Sequence, residues 1–83
     1  MESIKFSKHA LLRMKQRGIT ENQVNKVIRK PDSIIEKGDR KIYQSLIESS
    51  QGKSYLLRVF VNTNKSPNLI ITVYKTSKID KYL

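Results

Sequence analysis

The sequence contains no cysteine, and its one histidine is His9. Without cysteine, a disulfide framework, a zinc ribbon and thiol catalysis are excluded, and a lone histidine excludes His-rich metal sites. Three glycines are too few for a P-loop or a dinucleotide-binding fingerprint. The seven carboxylates are scattered, so no acidic pair indicates a two-metal nuclease. We therefore expect neither a metal ion nor a cofactor.

Long apolar runs are also missing. No segment approaches the roughly 18–20 apolar residues that cross a bilayer, and the N-terminus lacks the apolar stretch of a signal peptide. We therefore expect a cytoplasmic protein that has no membrane partner. Its 83 residues suit one domain, residues 1–83, with a modest core.

Positive charge is what the sequence has in excess. Seventeen Lys and Arg residues face seven Asp and Glu residues, which gives a formal charge of +10. Residues 1–30 carry eight basic and two acidic groups, and residues 31–83 carry nine and five. The excess is therefore spread over a folded surface instead of a tail, and such a surface favours a polyanionic partner.

Two helices are predicted in the first half of the chain. The Ser7 hydroxyl can cap a helix over residues 8–17 by accepting from a free N–H of its first turn. Thr20 and Gln23 have the spacing of a capping box for a second helix, which Pro31 ends.

After the second helix, apolar residues recur at every second position instead of at helical spacing. Strands are predicted over residues 33–36, 40–48, 55–61 and 69–74, and a short one over residues 3–7 before the first helix. The predicted fold class is α+β, with one strand, two helices and then a three- or four-stranded antiparallel sheet meander. If both helices pack on one face of the sheet, its other face is left free. Residues 75–83 are expected to form a short tail or final turn.

A row of basic side chains follows the first predicted helix. His9, Arg13 and Arg17 are spaced four residues apart and so share one helix face. Arginine offers forked donors to phosphate oxygens, and histidine can pass a proton near neutral pH. Basic stripes are also common on solvated helices, and a lone histidine near a helix start often caps or packs. Spacing alone leaves both interpretations open.

Arg58 lies in the middle of an otherwise apolar strand, where its charge needs a partner or water. It either faces an open side of the sheet and awaits an anion, or pairs with a carboxylate such as Glu36 or Glu48. The two alternatives are about equally supported.

Hydroxyl groups on other strands extend this surface. Alternation places Thr72 and Tyr74 on the same strand face as Ile70, and Arg40 and Tyr43 lie on an earlier strand. Arginines and hydroxyls on adjacent strands resemble a phosphate-gripping surface, although any solvated sheet face also alternates polar residues. If the protein cleaves RNA, it needs no metal, because the ribose 2′-hydroxyl is an internal nucleophile.

Residues 6–20 resemble the opening signature of a bacterial family of domains of unknown function, KHAxxRMxxRGI followed by Ser or Thr. Residues 24–32 are similar to the family's next segment, VxxV followed by Ile or Leu, two residues, Pro and an acidic residue. Residues 57–59 and 70–74 resemble its later strands. The resemblance covers most of the chain in the expected order. It implies kinship with the BrnT and RelE/ParE-like toxins, whose fold also runs strand, two helices and antiparallel sheet.

This resemblance implies that the protein is the toxin of a type II toxin–antitoxin pair and that it acts as a metal-independent endoribonuclease. Its partners would be RNA, free or on the ribosome, and a cognate acidic antitoxin. A clear basic C-terminal catalytic helix of the RelE type is lacking, although Lys75, Lys78, Lys81 and Tyr82 can substitute. The predicted catalytic residues are His9, Arg13, Arg58 and Tyr74. The predicted RNA-binding residues are Arg17, Arg40, Tyr43, Thr72, Lys75 and Lys78.

Two other functions stay open. A non-catalytic nucleic-acid or protein-binding module, including a gyrase-type inhibitor, is favoured by the single histidine, which supplies half of an acid–base pair. A structural accessory subunit, whose charge only keeps it in solution, is the third alternative.

Overall fold

A computed structural model describes residues 4–48, 51–65 and 67–82. Its elements in chain order are β1 (Ile4–Phe6), α1 (Lys8–Arg17), α2 (Glu21–Arg29), β2 (Ser33–Lys37), β3 (Arg40–Glu48), β4 (Ser54–Asn62), β5 (Asn68–Thr76) and a 3₁₀ helix (Ile79–Lys81). The predicted α+β fold is confirmed, with four strands in the meander. Residue 3 of the first predicted strand and residue 83 of the predicted tail lie outside the described residues.

The strands form one sheet in the order β1-β5-β4-β3-β2. Strands β2 to β5 pair antiparallel in sequence, whereas β1 lies parallel to β5 at the far edge. Between β2 and β3 the chain reverses through a two-residue turn. Gly38 takes a φ of 60° there, which glycine adopts without a steric cost.

Local side-chain caps set where both helices begin. The Ser7 hydroxyl accepts from the Ala10 N–H at 3.0 Å at the start of α1. At α2, the Gln23 N–H donates to the Thr20 hydroxyl at 3.1 Å, and the Thr20 N–H donates to the Gln23 amide oxygen at 3.0 Å. The capping box is therefore confirmed. Neither helix has the length and apolarity needed to cross a bilayer, nor does any other helix in the described ranges.

The main core lies between the two helices and one face of the sheet. It consists of Ala10, Met14, Ile19, Val24, Val27, Leu57, Val59, Val61, Ile70 and Val73. Tyr43 and Ile47 of β3 pack against this cluster and so lie on the same sheet face. Because the apolar residues of α2 repeat at helical spacing, they lie on one side of that helix and pack against this face of the sheet.

The other face of the sheet is not left free, contrary to the prediction. Ile42, Gln44 and Leu56 alternate onto this face and are buried. The Gln44 side-chain amide donates to the backbone carbonyl of Tyr82 at 3.1 Å, which places the C-terminal segment over the sheet. This short segment covers the centre of the second face, where Gln44 and Leu56 are fully buried.

A β-bulge changes the alternation within β5. Phe60 pairs with Thr72, but Val61 pairs with Ile70, so Ile71 is an extra residue without a partner on β4. Ile70 consequently joins the helix-side core, whereas Thr72 faces the other way with Tyr74. The prediction that Ile70 shares a face with these two residues is wrong, because one inserted residue reverses the side-chain alternation.

Candidate functional site

A cleft of about 460 Å³ lies where α1 meets the sheet. This volume is within the range of roughly 300–1,000 Å³ that is typical of ligand sites. The cleft is lined by His9, Arg13, Arg17, Arg58, Phe60, Thr72, Val73, Tyr74, Lys75 and Tyr82. Four of these side chains are permanent cations at neutral pH and none is a carboxylate. The cleft therefore favours an anion.

Strand lengths explain how the helix stripe reaches the sheet. β1 has three residues and pairs only with residues 68–70 of β5, so residues 71–76 extend beyond it. α1 follows β1 after one residue and packs along β5. The His9, Arg13 and Arg17 stripe thereby meets the side chains of the sheet in one cleft.

Ser7 fixes the start of α1 against the bulge. Its hydroxyl donates to the Ile71 carbonyl at 2.7 Å, and its N–H donates to the Ile70 carbonyl at 3.0 Å. The same hydroxyl accepts from the Ala10 N–H as the helix cap. The first turn of α1, which carries His9, is thus held beside the part of β5 that carries Thr72.

Arg58 has the most extensive contacts of the arginines that line the cleft. Its Nε donates to the Gln44 side-chain oxygen at 3.0 Å. Its guanidinium carbon lies 4.2 Å from the ring centroid of Tyr82 and 5.3 Å from that of Phe60. Both distances are within the range of cation–π attraction.

Arg58 faces the sheet surface opposite the helices, as the first of its two predicted alternatives requires. Within the described residues no carboxylate pairs with it, and Glu36 instead forms an ion pair with Lys41 at 3.4 Å. An amide oxygen and two rings hold the guanidinium without neutralising its charge. The cation therefore stays available to an anionic ligand.

Aromatic rings form the wall beside these cations. Tyr74 and Tyr82 meet edge to face, with ring centroids 6.3 Å apart and an interplanar angle of 76°. Tyr74 keeps 42% of its surface exposed, so its ring is accessible to a ligand in the cleft. A base or another flat ring can stack there next to a bound phosphate.

Lys75 lines the cleft but also has a structural contact. Its ammonium group donates to the Arg17 backbone carbonyl at 3.0 Å and lies 5.1 Å from the Tyr55 ring centroid. A cation at the last carbonyls of a helix stabilises its C-terminal end. We therefore assign part of the role of Lys75 to holding α1 in place.

Seven of the ten predicted site residues line this cleft: His9, Arg13, Arg17, Arg58, Thr72, Tyr74 and Lys75. Arg40, Tyr43 and Lys78 do not. Tyr43 packs against the helix-side core, because alternation along β3 puts it on the face opposite Gln44. Arg40 is exposed beside the β2–β3 turn, and Lys78 is exposed just before the 3₁₀ helix.

Gln44 belongs to the site although it is not among the residues that the sequence pattern predicts. It is fully buried and contacts both Arg58 and the C-terminal segment. The available signal is its place between Ile42 and Leu46 in one row of β3, where a polar residue interrupts an apolar alternation. Such a residue needs a hydrogen-bonding partner when the row is buried.

Asp32 has a perturbed pKa away from the cleft. The Leu46 N–H donates to its carboxylate at 3.0 Å and the Ser45 hydroxyl donates at 2.9 Å. Chiefly the backbone N–H, and then the hydroxyl, lower the pKa of this carboxyl. Asp32 thus accepts hydrogen bonds from residues of β3 that lie just beyond the end of its pairing with β2. It does not contribute to the candidate site.

Together, fold and cleft define a small α+β protein with a basic, aromatic-lined site between a helix and a sheet edge. A family model described as "Domain of unknown function (DUF4258)" matches residues 6–75, and the chain belongs to this family. Every residue that lines the cleft except Tyr82 lies within the matched range. Comparison with curated proteins gave no match, and neither did comparison with solved structures. Membership of a family of domains of unknown function is thus confirmed, and the relationship to BrnT and RelE/ParE-like toxins stays a prediction.

Proposed function

We propose that this protein is a metal-independent endoribonuclease, the toxin of a type II toxin–antitoxin pair, and that the basic cleft is its active site. The observation that carries the proposal is the convergence of His9 with three arginines and two tyrosines in a cleft to which the described residues contribute no carboxylate. These side chains match what RNA cleavage through the 2′-hydroxyl demands: cations at the phosphate and a group that moves a proton.

The reaction forms a bond between the ribose O2′ and the adjacent phosphorus and breaks the bond from phosphorus to O5′. The 2′-hydroxyl gives up one proton, and the leaving O5′ takes one up. The products are a 2′,3′-cyclic phosphate and a 5′-hydroxyl end. The protein must align the hydroxyl with the phosphorus and stabilise the negative charge of the pentacoordinate phosphorane.

Each side chain then has a distinct role. Arg58 and Arg13 bind the oxygens of the scissile phosphate. His9 transfers the proton between the 2′-hydroxyl and the leaving O5′. Tyr74 and Thr72 position the nucleotide from β5, with the Tyr74 ring against a base. Arg17, at the far end of the α1 stripe, binds a neighbouring phosphate of the same strand.

The second partner in this proposal is an acidic antitoxin. A chain of formal charge +10, with four cationic side chains lining one cleft, attracts an acidic segment as well as RNA. An antitoxin segment across the cleft would exclude RNA from it. Competition between the two for the cleft is therefore expected.

The proposal is tested by incubating the purified protein with a single-stranded RNA in the presence of EDTA. We expect fragments that end in a 2′,3′-cyclic phosphate. His9→Ala should lower the cleavage rate by about 10²- to 10⁴-fold, the usual contribution of a general acid–base group, and leave RNA binding intact. Lys8→Ala is the matched control, because Lys8 is the neighbouring exposed basic residue and does not line the cleft. Full activity of His9→Ala would refute the role of His9.

A non-catalytic nucleic-acid-binding module is the second candidate. It is favoured by the composition of the cleft, where the part of the chain that the structure describes places neither a second imidazole nor a carboxylate beside His9. Cleavage of this type commonly uses two acid–base groups, and here the second would have to be a tyrosine or lysine. A salt-sensitive shift of RNA mobility without any cleavage in EDTA would favour this binder over the ribonuclease.

A further inference from the structure

Gln44 is a fully buried amide at the centre of the sheet face that carries the cleft. It lies directly across from Arg58 in the β3–β4 register. Both ends of its side chain are engaged: the oxygen accepts from Arg58 Nε at 3.0 Å, and the nitrogen donates to the Tyr82 carbonyl at 3.1 Å. Its position and contacts link the cleft to the C-terminal segment.

These two contacts fix the orientation of the amide. The Tyr82 carbonyl only accepts and Arg58 Nε only donates, so reversing the amide would face acceptor to acceptor and donor to donor. The oxygen is therefore obliged to point at Arg58. A buried amide that satisfies both partners in this way has little freedom to rotate.

The contact determines which atoms of Arg58 are left for a ligand. Gln44 engages Nε, and the guanidinium carbon lies 4.2 Å from the ring centroid of Tyr82 and 5.3 Å from that of Phe60. Within residues 4–48, 51–65 and 67–82, no acceptor engages the two terminal NH₂ groups. Those groups are the fork that binds two phosphate oxygens.

We propose that Gln44 is a positioning residue that fixes the guanidinium of Arg58 for phosphate binding, and that the Tyr82 carbonyl holds Gln44 in the required orientation. This inference rests on the proposed function in one respect, the binding of an RNA phosphate by Arg58. It adds that the C-terminal segment is part of the site. Gln44 touches no ligand and acts only through Arg58.

The inference is tested by measuring the affinity for a short fluorescent 2′-O-methyl oligoribonucleotide, which cannot be cleaved because its 2′ oxygen carries no proton. Wild type, Gln44→Leu, Arg58→Met and the double variant are compared over a series of salt concentrations. Gln44→Leu should weaken binding by about tenfold and flatten the dependence on salt. In the Arg58→Met background it should have no further effect, since its partner is already gone.

Gln16→Leu is the matched control, because Gln16 is an exposed glutamine on α1 that does not line the cleft. It should bind as the wild type does. Equal losses from Gln44→Leu in both backgrounds would overturn the inference, since they indicate a structural effect unrelated to Arg58. Wild-type affinity in a folded Gln44→Leu variant would overturn it as well.

If Gln44→Leu does not fold, Gln44→Glu tests whether Gln44 positions Arg58. Its carboxylate still accepts from Arg58 Nε, but it neutralises the guanidinium and meets the Tyr82 carbonyl without a proton to donate. We expect a larger loss of affinity than for Gln44→Leu, and unchanged affinity would refute the inference.

A separate assay on unmodified RNA distinguishes the two proposals. If the wild type binds RNA but does not cut it, the ribonuclease proposal fails, and the binding data still decide the role of Gln44. If the wild type does not bind the oligonucleotide at all, both proposals fail.

Discussion

The two faces of the sheet differ in what holds them together. The helix-covered face is closed by aliphatic side chains of α1, α2, β4 and β5, together with Tyr43. The opposite face is closed by the short C-terminal segment, and its centre combines apolar residues with Gln44 and Arg58. We infer that the first face supplies most of the stability and that the second supports the site. The same strands serve both because their side chains alternate.

The largest expected effect is loss of stability from the helix-covered face. Leu57→Ala removes a fully buried side chain between the sheet and the helices. It should lower the free energy of unfolding by about 2–5 kcal/mol, as measured by urea denaturation, because a cavity remains where the side chain was. RNA affinity of the folded fraction should be unchanged. A selective loss of affinity would contradict the division between the two faces.

The second expected effect is loss of affinity from the other face. Arg58→Met keeps a long apolar side chain but removes the charge and one phosphate contact. The slope of log affinity against log salt should become shallower by about 0.7, the value for one phosphate of a single strand. Lys41→Met is the control, because Lys41 pairs with Glu36 on β2 and lies outside the cleft. An unaltered slope for Arg58→Met would place the phosphate elsewhere.

How far the sequence predicts this division depends on the range of each interaction. The caps at Ser7 and Thr20 lie within three residues of their partners, so local patterns were sufficient to predict both helices. The bulge at Ile71 depends on the register with β4, and no local pattern encodes it. Gln44 and Tyr82 are 38 residues apart, so their contact exists only in the folded chain.

The candidate site shows the same limit. Helical spacing alone predicts that His9, Arg13 and Arg17 share a face, and alternation predicts that Arg58 faces away from Leu57. Their meeting in one cleft follows from the shortness of β1, which lets α1 pack along the rest of β5. Tyr43 is predicted to bind RNA but packs against the helix-side core, because alternation leaves open which face of the sheet the helices cover.

A smaller effect is expected from the aromatic wall of the cleft. Tyr74→Leu removes a ring that is 42% exposed and keeps the residue apolar. Loss of stacking against a base should weaken RNA binding by about 1 kcal/mol or somewhat more, with the salt slope unchanged, because no charge is removed. Fluorescence anisotropy with the oligonucleotide described above measures both quantities. A change of slope would show that Tyr74 acts on the neighbouring cations instead.

The smallest effect concerns Asp32, which lies outside both the core and the cleft. Hydrogen bonds from the Leu46 N–H and the Ser45 hydroxyl hold the folded-state pKa of this carboxyl below its ordinary value of 3.8. Its contribution to stability is therefore complete above that ordinary value, and it is lost as pH falls through the lowered folded-state pKa. Asp32→Asn should be less stable than the wild type at neutral pH, and the difference should shrink in acid. Because Asp32 is exposed, solvent screens the effect and keeps it small.

Thermal unfolding between neutral and strongly acidic pH measures the stability difference between Asp32→Asn and the wild type, with Asp80→Asn on the 3₁₀ helix as the control for loss of one negative charge. A difference that stays constant into acid would show that the lost stability does not arise from the negative charge of Asp32, and it would contradict this prediction.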